Sequence, residues 1–166
     1  SAVTMTAKVA GDQEVLVRYE RLALAACSNP VVVREEKPEY RLYWGDIHGH
    51  SIQSDGLGTV EEYYRYGRDQ SLLDFCSIAD HIGHMGPGEW ERAQAAADTA
   101  NDPGCFVTFA GYELNDEAGE RCIYHRQGGQ PLYRYPRDAD ALFALARAGD
   151  ALIIPHQHGR GPWPYP

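Results

Sequence analysis

A chain of 166 residues, 43% of them apolar, is long enough for about one domain with a packed core and too apolar for a disordered segment. Its formal net charge of −9 argues against nucleic acid held through nonspecific phosphate contacts. A phosphate-bearing substrate stays open, because bound cations reverse the local field. No run is apolar and long enough to cross a bilayer, and no charged-then-apolar leader is visible.

Residues 1–36 alternate apolar and polar, as in "EVLVRYERLALAACSNPVVVRE". Val15, Val17 and Tyr19 share one period-two face, and "SNP" supplies a turn before Val31 to Val33. This reads as short strands, the tail of a β-domain, with "EEKPEY" as a charged linker; residues 1–37 form this segment and 38–166 the domain that follows. From Tyr40 the pattern changes to strand, helix, strand, helix. "RLYWGDIH" reads as a strand, and "TVEEYYRYGRD" opens a helix with a capping box, Thr59 with Glu62. "LLDFCSIADH" is a continuous apolar strand, and the Ala-rich "PGEWERAQAAADTAND" a helix with Pro87 near its start. "GCFVTFAGYE" and "RCIYHR" read as strands, "DADALFALARAGD" as a helix closing on Gly149, and "ALIIPH" as a last buried strand. Strands apolar on both faces and alternating with helices predict a mostly parallel sheet or barrel. The four cysteines, Cys27, Cys76, Cys105 and Cys122, form no Cys-x-x-Cys pair. Three sit in apolar runs and read as buried free thiols, which leans towards a reducing compartment. The chain begins with Ser, which leaves room for a leader or a preceding domain upstream, and localisation stays open.

Histidines fall where strands end. His48 and His50 close the first, in "WGDIHGHSIQSDG"; alternate side chains leave one face of a strand, so both imidazoles point the same way. His81 closes "IADH", Glu113 closes "GYE", His125 lies in "IYHR", and His156 closes "IIPH". The carboxyl ends of parallel strands form the ligand site in α/β architectures, so these side chains are expected on one rim. Asp55 would ordinarily be a turn residue; its distance from the His-x-His pair favours a ligand. Asp46 and Asp80 are expected as acceptors that fix histidine tautomers. His84 reads as structural, and His158 as either an alternating partner of His156 or a solvated residue. Tyr63, Tyr64 and Tyr66 read as packing residues. Arg126 is ordinarily a solvated cation; beside His125 on a metal rim it becomes a candidate grip for a phosphate oxygen. Imidazoles with two carboxylates suit Zn²⁺, Mn²⁺ or Fe²⁺ and match Ca²⁺ poorly. The candidates outnumber the ~4 ligands of a single structural zinc, so more than one ion is expected.

These residues resemble the PHP (polymerase and histidinol phosphatase) superfamily: the His-x-His of "DIHGH", the "SDG" turn, "IADH", the Gly-x-Glu of "GYE", and the later His125 and His156. "SNPVVVRE", "YRLYWGDIHGHS" and "EEYYRYGRD" are similar to an uncharacterised bacterial branch of it, and the match runs in motif order over roughly residues 28 to 158. The resemblance implies a distorted (β/α)7 barrel with two or three divalent ions, metal ligands His48, His50, Asp55, His81, Glu113, His125 and His156, and phosphoesterase activity on a phosphorylated small molecule. The usual late Asp-x-His does not follow His156, and a whole β/α barrel takes ~250 residues. The expectation is therefore a partial barrel preceded by a short β segment, its missing half supplied by another segment or a neighbouring molecule. Two rival functions stand beside it. One is an amidohydrolase-like C–N or ester hydrolase, disfavoured in its lysine-bridged form because Lys8 and Lys37 precede the barrel. The other is a metal-binding module without turnover.

Overall fold

The computed structural model describes residues 5–116, 119–134 and 137–157, and the side chains of all of these except 116, 119, 156 and 157. The chain divides into two compact units, Ser1–Leu42 and Tyr43–Pro166. The first contains β1 (Gly11–Gln13), β2 (Leu16–Tyr19), β3 (Leu24–Cys27) and β4 (Val31–Val33). β1 pairs antiparallel with β4, and β2 with β3, as two separate two-stranded ladders. The predicted alternation makes strands, yet no described residue of this unit is buried. Leu16, Val17, Leu24, Val31 and Val32 are all more than half exposed.

The second unit runs β5 (Gly45–Gly49), α1 (Val60–Asp69), β6 (Phe75–Ile78), α2 (Pro87–Ala100), β7 (Val107–Asp116), β8 (Gly119–His125), α3 (Ala139–Ala148) and β9 (Ala151–Gln157). Local chemistry sets the helix ends. The Thr59 side chain accepts from the Glu62 N–H while the Glu62 carboxylate accepts from the Thr59 N–H, which closes the capping box of α1. Pro87 occupies the first turn of α2, where its missing N–H costs nothing. Gly149 ends α3 at φ 79°, a left-handed position that suits glycine.

The five strands form one open sheet in the order β5-β6-β7-β8-β9. β5, β6 and β7 are parallel; β8 is antiparallel to β7, and β9 antiparallel to β8. Among the described residues this is a mixed α/β sheet with three α-helices and not the expected partial (β/α)7 barrel. The reason lies between β7 and β8, which only residues 117 and 118 separate. A parallel crossover takes roughly a dozen residues or more, so β8 can only fold straight back as a hairpin.

The principal core packs Val60 and Tyr64 of α1 and Trp90, Ala93 and Ala97 of α2 against Ile78, Phe106, Tyr112, Leu114 and Ile123 of the sheet side. The Tyr64 hydroxyl ties two strands, donating to the Phe109 carbonyl at 2.9 Å and accepting from the Ile78 N–H at 3.2 Å. A smaller cluster, Ala79, Cys122 and Tyr124 with Ile47, Phe109 and Ile154, lies apart from it. An open groove of ≈ 880 Å³ runs beside that cluster between Phe75, Val107, Phe109, Tyr124 and Leu152; Val107 and Leu152 stay exposed. Of the four free thiols only Cys76 and Cys122 are buried, two rather than the expected three, because Cys27 lies on the exposed strand β3 and Cys105 on an exposed turn. No helix among the described residues is long and apolar enough to cross a membrane.

Candidate metal centre

The site grows from the end of β5. The register of β5 on β6 shifts between Asp46 and Gly49 and His50 lies one residue past the strand, yet the rings of His48 and His50 stand together with centroids 5.3 Å apart. Gly49 between them has the Tyr63 ring against its Cα: a Cβ there would collide with that ring, so glycine lets α1 press directly on the strand end. The following loop closes on itself, with the Ser51 carbonyl accepting from the N–H groups of Ser54 (3.1 Å) and Gly56 (3.0 Å). Gly56 is required there, because a Cβ would collide with the His50 carbonyl.

Asp80, fully buried after β6, holds this loop. Its carboxylate accepts from the Ser51 N–H, the Ser51 hydroxyl and the Ser54 hydroxyl, each at 2.6 Å. The loop thereby presents Asp55, whose oxygens stand 3.3 Å from His50 Nδ1 and 3.5 Å from His81 Nε2. His81 lies opposite Glu113 in a parallel bridge, supported by the Glu113 N–H donating to the Asp80 carbonyl at 2.9 Å.

Glu113 is the centre of the arrangement. Its side chain is 1% exposed, and Oε2 lies 3.2 Å from His48 Nε2, 3.4 Å from His50 Nε2 and 3.5 Å from His81 Nδ1. Ordinary N–H···O bonds cluster near ~2.9 Å, whereas two ligands each ~2.1 Å from one tetrahedral ion stand ~3.4 Å apart. The spacings of Glu113 from His48 and His50 and of Asp55 from His50 and His81 match the second pattern, a neutral His50 offering one of its two nitrogens, and imidazole and carboxylate donors together fit a borderline divalent ion. Among the described residues two groups each place their ligand atoms within 4.8 Å of one another: His48, Glu113 and Cys122 form one, and His50, Asp55 and His81 the other. Asn115, two residues beyond Glu113 on the same face, places Oδ1 2.8 Å from His81 Nδ1 and donates from Nδ2 to Glu113 Oε1 at 3.2 Å. With Nδ1 carrying the proton to Asn115, His81 Nε2 keeps its lone pair towards Asp55.

Electrostatics favour the ligand forms of His50 and Asp55. Burial, then the neighbouring His81, lowers the His50 pKa and favours the neutral ring. Partial desolvation acts to raise Asp55, but His50, His81, a backbone N–H and the Ser54 hydroxyl together outweigh it and hold the carboxyl below its ordinary range.

The structure thus brings together His48, His50, Asp55, His81 and Glu113. His125 and Arg126 are corrections. β8 runs against β7, so its last residue returns to the other end of the sheet: His125 pairs with Ala110, three residues before Glu113. Alternation also turns it to the opposite face, where its ring sits 5.8 Å from Trp90 and 5.9 Å from both Tyr112 and Tyr133. Arg126 is exposed, donates its N–H to the Asp150 carbonyl, and lines the apolar groove rather than the cluster. His156 lies at the carboxyl end of β9, which runs in the direction of β7; its side chain and His158 lie outside the described residues. Asp46 and Asp80 fix no imidazole tautomer. Asp46 accepts the His48 backbone N–H at 3.0 Å, and Asp80 holds the loop. His84 stands at the exposed rim, its ring 6.4 Å from that of His81.

Cys122 and Asn115 were not anticipated. Asn115 was findable as the i+2 neighbour of Glu113 on a strand. Cys122 needed the hairpin: directly opposite Glu113, its Sγ lies 3.9 Å from both ring nitrogens of His48. Burial pushes its thiol up to about 11.

No protein-family model matches the chain. An uncharacterized protein of Chlamydia pneumoniae is 29% identical over 89 residues, which is 51% of this chain and 14% of that protein. The chain therefore aligns with only a small part of that relative. No solved structure matches.

Proposed function

We propose that this protein is a metal-dependent hydrolase, with a phosphoester as the bond cleaved and two divalent ions (Zn²⁺, Mn²⁺ or Fe²⁺) held among His48, His50, Asp55, His81 and Glu113. The observation that carries the proposal is Glu113 Oε2, buried and 3.2 to 3.4 Å from nitrogens of His48 and His50, with Asp55 spaced alike from His50 and His81. Ions held there would supply the activation of water and offset charge on the attacking and leaving oxygens. The residues do the rest. Glu113 and Asp55 supply negative charge that draws cations, Asn115 orients the His81 ring, and Asp80 holds the loop that carries Asp55. Asp55 is the solvent side of the site, its side chain 65% exposed, whereas His50 and His81 are 21% and 24% exposed. Substrate therefore approaches over Asp55. The likeness of "DIHGH", "SDG", "IADH" and "GYE" to the PHP superfamily supports the phosphoester over other bonds.

The test is elemental analysis of the purified protein, together with phosphate release from a broad phosphoester panel before and after chelation. About two ions per chain and chelator-sensitive release are expected; release unaffected by chelation or by Glu113→Gln would sink the reading. One observation favours a metal-binding module without turnover, namely that Arg126 lines the groove and not the cluster. Stoichiometric metal with no hydrolysis of any ester or amide would select that alternative.

A further inference from the structure

The hairpin that removes His125 from the centre brings a sulfur into it. Cys122 is 2% exposed and stands opposite Glu113 in the β7–β8 ladder. One sulfur, one imidazole nitrogen of His48 and one carboxylate oxygen of Glu113 lie within 4.8 Å of one another. Around a tetrahedral ion with a metal–sulfur distance of ~2.3 Å and a metal–nitrogen distance of ~2.1 Å, sulfur and nitrogen stand ~3.6 Å apart. The observed 3.9 Å from Cys122 Sγ to His48 Nε2 is within a few tenths of an ångström of that. A buried cysteine is ordinarily a small hydrophobe, and Ala79, Tyr124, Ile47 and Ile154 do surround it. Those neighbours account for its burial but leave unexplained the imidazole and the carboxylate beside its sulfur.

Resting on the metal-centre reading above, we propose that Cys122 is a thiolate ligand of the ion held by His48 and Glu113. This half of the centre then selects a thiophilic ion, Zn²⁺ or Co²⁺, while His50, Asp55 and His81 form an N/O half that also accepts Mn²⁺. As the metal–sulfur bond forms, the thiol S–H breaks and its proton leaves to solvent, so the ion gains an anionic ligand and no electrons are exchanged.

The test is a Co²⁺ titration of the metal-free full chain, read by absorbance. A thiolate-to-cobalt charge-transfer band in the near ultraviolet is expected, beside visible d–d bands from the ion itself. Cys122→Ser should lose the first and keep the second, and Zn²⁺ affinity should fall by roughly tenfold or more with Mn²⁺ affinity nearly unchanged. Cys76→Ser should keep both bands. Visible bands without charge transfer in the wild type, or a charge-transfer band that survives Cys122→Ser, overturn the thiolate while the metal centre stands. Absence of any cobalt spectrum overturns the centre itself. Should Cys122→Ser fail to fold, the chain carrying Cys27→Ser, Cys105→Ser and Cys76→Ser, with Cys122 as its one thiol, gives the same decision.

Discussion

Glu113 and Cys122 face each other across the β7–β8 ladder, both buried, while His125 in the same strand pairs with Ala110 and turns to the opposite face. One reversal of strand direction thus exchanges a histidine for a cysteine at the centre. The consequences can be measured at each residue involved.

His125 is a buried imidazole whose two ring nitrogens find no hydrogen-bond partner among the described residues. Burial depresses its pKa to about 4, against ~6.5 in an unfolded chain. Between those values the unfolded chain binds a proton that the folded chain does not. Stability from this residue is therefore greatest above pH ~6.5 and falls as pH drops towards ~4, by about 3 kcal/mol over the window. His125→Phe keeps an aromatic ring among Trp90, Tyr112 and Tyr133, and is expected to flatten that slope with metal content unchanged. Urea unfolding at pH 7 and pH ~4.5, with metal analysis of both proteins, decides it. Loss of metal in the variant would return His125 to the ligand set.

Glu113→Gln preserves shape and removes the charge that faces three imidazoles. Metal affinity is expected to fall by ~100-fold or more, because an amide oxygen is a far weaker ligand than a carboxylate. Calorimetric titration with Zn²⁺ measures it. Unchanged affinity would mean that the spacing around Oε2 reflects hydrogen bonding alone.

Asp80 and Asp46 both precede a histidine, and the structure assigns them unequal weight. Asp80→Ala leaves the Ser51 N–H and two serine hydroxyls without their buried acceptor, a loss of about 3 kcal/mol or more. Asp46→Ala removes one acceptor from an exposed backbone N–H and should cost less than about 1 kcal/mol. Denaturant midpoints of the two variants give the comparison; equal losses would contradict the loop-anchoring role of Asp80.

Gly56→Ala drives a methyl group into the His50 carbonyl, so the turn that presents Asp55 must shift. A destabilisation of about 2 kcal/mol and weaker metal binding are expected. Gly83 has open space around its Cα, and Gly83→Ala serves as the control with metal binding intact. Binding that is equally strong in both variants would remove Asp55 from the site.

Much of the centre was readable from local rules. Period-two alternation predicts His48 and His50 on one face, and their rings are neighbours; the carboxyl ends of β5 and β6 carry His50 and His81 towards Glu113, which lies within β7 rather than closing it as its sequence suggests. The Thr59 capping box, Pro87 in the first turn of α2 and Gly149 at the end of α3 are signals spanning one turn of helix, so short stretches of chain specify them. The barrel was not readable in the same way. It assumed that strand, helix and strand would keep alternating beyond β7. The two-residue connection of residues 117 and 118 carried the contrary signal, and it is weak beside the apolar pattern of "RCIYHR".

Sequence alone determined which residue types share a face of β5, β6 and β7, since a strand's own alternation dictates where its side chains point; that β7 runs on past Glu113 to Asp116 follows from its pairing with β8. Tertiary structure decided which residues of β8 reach them. The direction and register of a strand pair are set by backbone hydrogen bonds between segments, and reversing one strand exchanges both its ends. In this protein that reversal sends His125 and Arg126 away from Glu113 and sets Cys122 beside His48.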